Sequence, residues 1–220
     1  MNTGRVVPFN PLDKKNLGAS VAEALVTSTA YALGEVPPFS GVGIYAIYYC
    51  GDFKPYQRIA QQNADLQQPR VPIYVGKAVP AGSRKGIVVS DPLQSKSLFN
   101  RLSEHAESIR LAQNIDINDF VCRYVIVDEI WIPLGESLLI AKFAPLWNTL
   151  VEGFGNHDPG SRRYQGLRPR WDVAHPGRTW ALKCKQREET AADILRDASS
   201  YLDNIVFPTS PHFTGRTDLL

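Results

Sequence analysis

Apolar positions recur along this chain with two distinct periods. At positions 97–113, Leu98, Leu102, Ala106, Ile109 and Ala112 fall at helical spacing, so an amphipathic helix is predicted there. Positions 21–33 are alanine-rich and free of proline and glycine until Gly34 and Pro37-Pro38, which predicts an earlier helix. Positions 42–49 form a β-branched and aromatic run between Gly41 and Gly51 and predict a strand. Shorter runs predict two more strands, at 71–75 closed by Gly76 and at 120–127, with 130–134 extending the sheet. Gly135 opens a helix that runs to Phe143 and stops at Pro145, and 188–204 reads as a last helix. The glutamine-rich stretch 52–70 reads as a long loop with at most a helical turn. Pro80, Gly82 and Gly86 mark 78–91 as an inserted surface loop. Strand, strand, helix, strand, helix is the order of an α+β fold, with a small antiparallel sheet of about three strands flanked by helices.

Charge adds an asymmetry that the total conceals. The whole chain of 220 residues carries 24 basic and 22 acidic side chains, a net of +2, which excludes a polycation of the histone kind. Residues 1–155 are balanced, with 14 of each sign. Residues 156–187 hold eight basic and two acidic side chains, and the last 33 residues hold two basic and six acidic. Arg162, Arg163, Arg168, Arg170 and Arg178 fall in that basic stretch, interleaved with Tyr164 and Trp171. Arginine in such a setting suits nucleic acid, since its planar fork grips phosphates and reads guanine edges. A solvated charged face is the structural alternative.

Other classes recede. At 44% hydrophobic and 10% aromatic, the chain is not of a disordered type. Its longest uncharged apolar run, 41–50, is too short for a membrane span, and positions 1–12 lack a signal-peptide pattern. The expectation is a soluble, cytoplasmic protein. Cys50, Cys122 and Cys184 are odd in number and widely spaced, and His105, His157, His175 and His212 show no zinc spacing. No phosphate-binding glycine loop of the nucleotide-binding kind is present.

The candidate chemistry comes from seven residues brought in by four elements. Gly43-Ile44-Tyr45 and Tyr74-Val75-Gly76 sit on two early strands, with Lys77 directly after. Arg101 and His105 are spaced i, i+4 and share one helix face. Glu136 opens the next helix, and Asn148 follows Pro145-Leu146-Trp147. Each has an ordinary structural reading: strand tyrosines as core, Arg101 and Glu136 as a surface pair, Asn148 as a turn residue. Their convergence in this order is what phosphodiester hydrolysis needs. A lone carboxylate suits Mg²⁺ that keeps most of its waters, an arginine fork neutralises phosphate oxygens, and a tyrosine accepts a proton from water. A free phenol titrates near ~10, so Tyr45 needs help from His105, Lys77 or Arg101, and the sequence does not choose among them.

This constellation resembles the GIY-YIG nuclease superfamily, and within it the type II restriction endonucleases of the Eco29kI kind. Further segments carry the resemblance: 72–82, Gly153-Phe154-Gly155-Asn156-His157, and Trp171 to Arg178. It spans roughly 36–185, and the second signature reads Tyr-Val-Gly where the family has isoleucine. The resemblance implies a catalytic core at 39–155 with inserted loops near 51–71 and 78–96. It leaves a helical extension at 1–38 and a basic recognition segment with an acidic tail at 156–220. It also implies Tyr45 as base, Tyr74 and Asn148 as phosphate-positioning groups, Glu136 as metal ligand, and His105 orienting Tyr45 or relaying its proton. One Mg²⁺ per site is implied, with Mn²⁺ as substitute. So are double-stranded DNA as substrate, a GC-rich palindrome such as CCGCGG, a homodimer, and a cognate methyltransferase in the host. Other readings are a homing or structure-specific repair nuclease, and a non-catalytic DNA-binding module.

Overall fold

The computed structural model describes residues 10, 12–79, 94–160, 162 and 164–213. Four strands, β1 (Tyr31–Ala32), β2 (Gly43–Tyr49), β3 (Tyr74–Ala78) and β4 (Phe120–Ile126), form one antiparallel sheet in the order β1-β4-β2-β3. The helices are α1 (Lys14–Thr27), α2 (Gln57–Gln62), α3 (Ser97–Leu111), α4 (Ile132–Phe143), α5 (Leu146–Thr149), α6 (Arg170–Ala174) and α7 (Ala191–Asn204). The fold is α+β, as expected.

Every residue of β2 is buried, because helices cover both faces of the sheet. Alternation along the strand sorts its side chains into two cores. Ile44, Ala46 and Tyr48 pack with Ala22 and Leu25 of α1 and Leu139 and Phe143 of α4. Tyr45, Ile47 and Tyr49 pack with Leu98, Leu102 and Ile109 of α3, Trp147 of α5, Trp171 of α6 and Ile194 of α7. Residues beyond 155 therefore contribute to the same core as the sheet.

The departures from the sequence reading have identifiable causes. The first helix starts at Lys14, where the Asp13 carboxylate accepts from the Lys15 amide, and it ends before Ser28. Residues 31–32 are drawn into the sheet instead, opposite Cys122 and Val121, and add a fourth strand to the expected three. Gly18 lies inside this helix because α1 packs against α4 there, and a Cβ would come within 2.7 Å of Leu138. Gly135 does the same from α4, where a Cβ would lie 2.7 Å from Val21. The segment 130–134 does not extend the sheet: it turns into α4, with Pro133 in the first turn. Gly76 does not end a strand at 75. It sits inside β3 opposite Tyr45, where any Cβ would overlap the Tyr45 hydroxyl. The stretch 52–70 holds a 3₁₀ turn (Lys54–Tyr56) and α2. Of the loop expected at 78–91, all beyond 79 lies outside the described residues.

Ala144 closes α4 in the left-handed region (φ 40°, ψ 58°), and its carbonyl accepts from the Tyr201 hydroxyl at 2.7 Å. Glycine at 144 should remove the Cβ penalty and stabilise the fold by ~0.5–1 kcal/mol. Thermal unfolding of Ala144→Gly is expected about 1–4 °C higher, and an unchanged or lower midpoint would count against it.

A buried polar chain runs through the α3-side core. The Tyr56 hydroxyl meets His175 Nε2 at 2.5 Å, His175 Nδ1 meets Asn114 Oδ1 at 2.9 Å, and Trp147 Nε1 donates to Tyr56 at 3.2 Å. Burial drives His175 down to about 3 and also depresses His105, which Arg101 pushes further the same way. Both rings are thus neutral in the folded protein. On unfolding each regains its ordinary value near ~6.5, so below that pH the unfolded chain binds protons that the folded chain refuses. Stability should be whole above ~6.5 and fall with decreasing pH, by up to about 1.4 kcal/mol per pH unit for each histidine. For His175 the fall continues towards pH 3. Urea unfolding at pH 7.5 and 5 measures this; equal stability at both would contradict it.

Candidate active site

β2 and β3 set the two signature tyrosines on the α3 side of the sheet, with Tyr45 paired to Gly76 and Tyr74 to Ile47. Helix α3 crosses above them and presents His105 on its buried face, with Arg101 one turn earlier. The Tyr45 hydroxyl and His105 Nε2 lie 2.6 Å apart. Tyr74 stands edge-on to His105, with ring centroids 5.3 Å apart. Phe154 backs the pair, stacked on His105 at 4.4 Å.

Burial pushes the Tyr45 phenol well above its ordinary value; neighbouring Tyr74 adds to the rise and the Arg101 guanidinium opposes it. Tyr74 is raised by burial and lowered by Arg101 in the same way. The resting pair is therefore a neutral phenol hydrogen-bonded to a neutral imidazole. Arg101 supplies the positive charge beside both. Its Nη2 donates to the Gly155 carbonyl at 2.6 Å, and its Nη1 donates to His157 Nε2 and to Glu104 at 3.3 Å.

Glu136 and Lys77 form a second group. Lys77 is opposite Ile44 in the register, so it points to the α4 side of β3, where its Nζ meets Glu136 Oε2 at 2.6 Å. Glu136 acts electrostatically on Tyr74 from there, so the two groups approach each other around the outermost strand. Asn148, at that strand, accepts from the Val75 amide and donates to the Val75 carbonyl, both at 2.8 Å. Of the three aids the sequence left open for Tyr45, His105 touches it, Arg101 acts through its charge, and Lys77 is bonded to Glu136. An open cleft of about 500 Å³ beside Tyr74 and Asn148 is lined by Glu152, Asn156, Arg170 and Arg187.

Among the described residues no group of three or more His, Cys, Asp and Glu side chains is assembled for a metal. Glu136 is a single hard carboxylate beside the tyrosines, a donor set that fits a divalent cation retaining most of its waters. GIY-YIG nucleases generally use such a cation.

The five arginines expected to meet DNA differ in placement. Arg162 is exposed, and Arg163 lies outside the described residues. Arg168 is half-buried, donating from Nε to the Ala181 carbonyl at 3.0 Å. Arg170 lines the cleft and pairs with Asp197 at 2.8 Å and Glu189 at 3.0 Å. Arg178 requires a correction. It is only 4% exposed, and its guanidinium bonds Asp172 and three backbone carbonyls, which leaves no donor for a groove. Sequence reasoning also missed that Phe154, Gly155 and His157 belong beside Arg101 and His105. The signal was the Gly-Phe-Gly-Asn-His segment itself, which carried the family resemblance without a role being assigned to it.

No curated protein matches the chain. Residues 37–202 match the family model of the Eco29kI GIY-YIG domain, past the expected limit near 185. That span is well over half of the chain and contains both tyrosines, the arginine–histidine helix, Glu136 and Asn148. The protein belongs to the Eco29kI GIY-YIG family, the restriction-endonuclease branch of these nucleases.

Proposed function

We propose that the protein is a type II restriction endonuclease that hydrolyses double-stranded DNA at a short GC-rich palindrome such as CCGCGG, using Mg²⁺. The observation that carries this reading is the 2.6 Å contact between Tyr45 and a neutral His105 beside Arg101. Tyr45 removes a proton from the attacking water while its own proton passes to His105 Nε2. A raised phenol cannot wait as phenolate, so an acceptor at hydrogen-bond distance is what lets it serve as base. The water oxygen forms the new bond to phosphorus, and the bond to the 3′ oxygen breaks. Arg101, held by Gly155 and His157, faces the non-bridging oxygens, where negative charge grows in the transition state. Tyr74 and Asn148 orient the phosphate, Asn148 through the amide hydrogen that Val75 leaves free. Glu136 would hold the metal, with Lys77 fixing its carboxylate. When bound, Mg²⁺ supplies charge neutralisation at the phosphate and relief of the leaving oxygen.

Sequence choice needs contacts to base edges, and Arg162, Arg163 and Arg168 are the arginines proposed to make them. A palindrome cut on both strands calls for two sites about a two-fold axis, hence a homodimer, and the host would protect its own sites with a methyltransferase. Digestion of a sequenced plasmid or phage DNA with and without Mg²⁺, with the ends mapped, tests the reading. Discrete Mg²⁺-dependent fragments sharing one palindrome are expected. Cleavage at forks or flaps regardless of sequence would replace it with a repair nuclease, and retarded but uncut DNA would leave a binding module.

A further inference from the structure

Arg178 is locked on all sides. Its guanidinium lies between the rings of Trp171 and Trp180, 4.6 and 4.9 Å from their centroids. Nε and Nη2 grip the Asp172 carboxylate at 2.7 and 2.6 Å. Nη1 donates to the carbonyls of Phe154 (3.0 Å) and Asn156 (2.9 Å), and Nη2 also to that of Gly153 (2.9 Å). All five N–H groups are engaged, an arrangement that only the planar fork of arginine can fill.

The three carbonyls belong to one short loop, and the carbonyl between them, Gly155, is bonded to Arg101. Four consecutive carbonyls are thus divided between two arginines, one buried and one in the active site. The same loop stacks Phe154 on His105 and brings the His157 ring to Arg101. It carries glycine at 153, with φ +106°, and at 155, where a Cβ would lie 2.5 Å from the Tyr74 hydroxyl. A loop with two glycines has little stiffness of its own, so its shape depends on what grips its carbonyls.

We propose that Arg178, braced by Asp172, is a positioning residue for phosphodiester cleavage: it fixes the 153–157 loop so that Gly155 and His157 hold the Arg101 guanidinium beside the two tyrosines. This rests on the nuclease reading above and adds to it a residue that never meets DNA.

The test is a double-mutant cycle on the full chain, measuring kcat and KM on plasmid DNA. Arg178→Lys and His157→Ala are each made with Arg101 present and in an Arg101→Lys background. Arg178→Lys is expected to lower kcat by about tenfold or more with KM within about twofold, since small misplacements at a reacting centre are that costly. His157→Ala should lower kcat in the same sense. In the Arg101→Lys background both losses should shrink to about twofold or less, because the loop acts through Arg101. Equal losses in both backgrounds, or an unchanged kcat, would overturn the proposal. Should Arg178→Lys fail to fold by circular dichroism, Asp172→Asn, which loosens the brace on Arg178, takes its place in the same cycle, beside His157→Ala, whose side chain is 61% exposed and supports no core. A wild-type chain that cuts no DNA would remove the nuclease reading and this proposal with it. A cutting wild type with additive losses removes this proposal only.

Discussion

Glu136→Gln should abolish DNA cleavage, with a rate loss of roughly 10³-fold or more, while DNA affinity in the absence of divalent ions stays within a few-fold of wild type. Glu136 is the one carboxylate bonded to Lys77 beside the tyrosine pair, and glutamine keeps its shape but loses the charge that a hard cation requires. A metal contribution of several kcal/mol to charge stabilisation corresponds to that rate factor. Stability should change by less than ~0.5 kcal/mol, because Lys77 is 41% exposed and keeps its solvation when its partner is neutralised. Cleavage at near wild-type rates would remove the single-carboxylate mechanism. Loss of binding in parallel would mean that Glu136 shapes the DNA surface instead.

Tyr45→Phe should cost about 10²–10⁴-fold in cleavage rate, the range for loss of a general base. The ring still fills its place in the core, so the change isolates the hydroxyl. It also strands His105 Nε2 without its partner, a destabilisation of about 1–3 kcal/mol. If His105 acts through Tyr45, replacing His105 in the Tyr45→Phe background should lower the rate little further. Multiplicative losses would show His105 acting on the reaction independently. Rate and urea stability together separate the chemical effect from the structural one.

The elements most legible in the sequence were those whose period survives burial. Helix α3 was plain because its outer face is polar, and β2 because its run is short and bounded by glycine. Glycines misled where they serve packing. Gly76 looked like the end of a strand, yet it makes room for the Tyr45 hydroxyl inside one, and Gly18, which no reading had placed in a helix, makes room for a crossing one. The end of α1 was placed too late because β1 is decided by pairing with β4, a contact with no local signature. Within the site, the i, i+4 spacing of Arg101 and His105 was readable, and so was their membership with the tyrosines. Which group would touch which was not, since Lys77 and Tyr45 face opposite sides of the sheet and only the register separates them. Arg178 shows the same limit in charge patterning: a basic stretch reveals sign and density, but not which arginine is turned inward.

The Asn148 side chain has a consequence beyond the reaction. By offering an acceptor to the Val75 amide and a donor to its carbonyl, it imitates the backbone of a neighbouring strand. Among the described residues β3 has no strand on its outer side, and free edges recruit strands from other chains. The amide plugs the middle of that edge, a safeguard against intermolecular pairing built into a residue also suited to phosphate. Replacing Asn148 would therefore open a site of self-association at the same time as it alters the chemistry, and the two effects belong to one side chain.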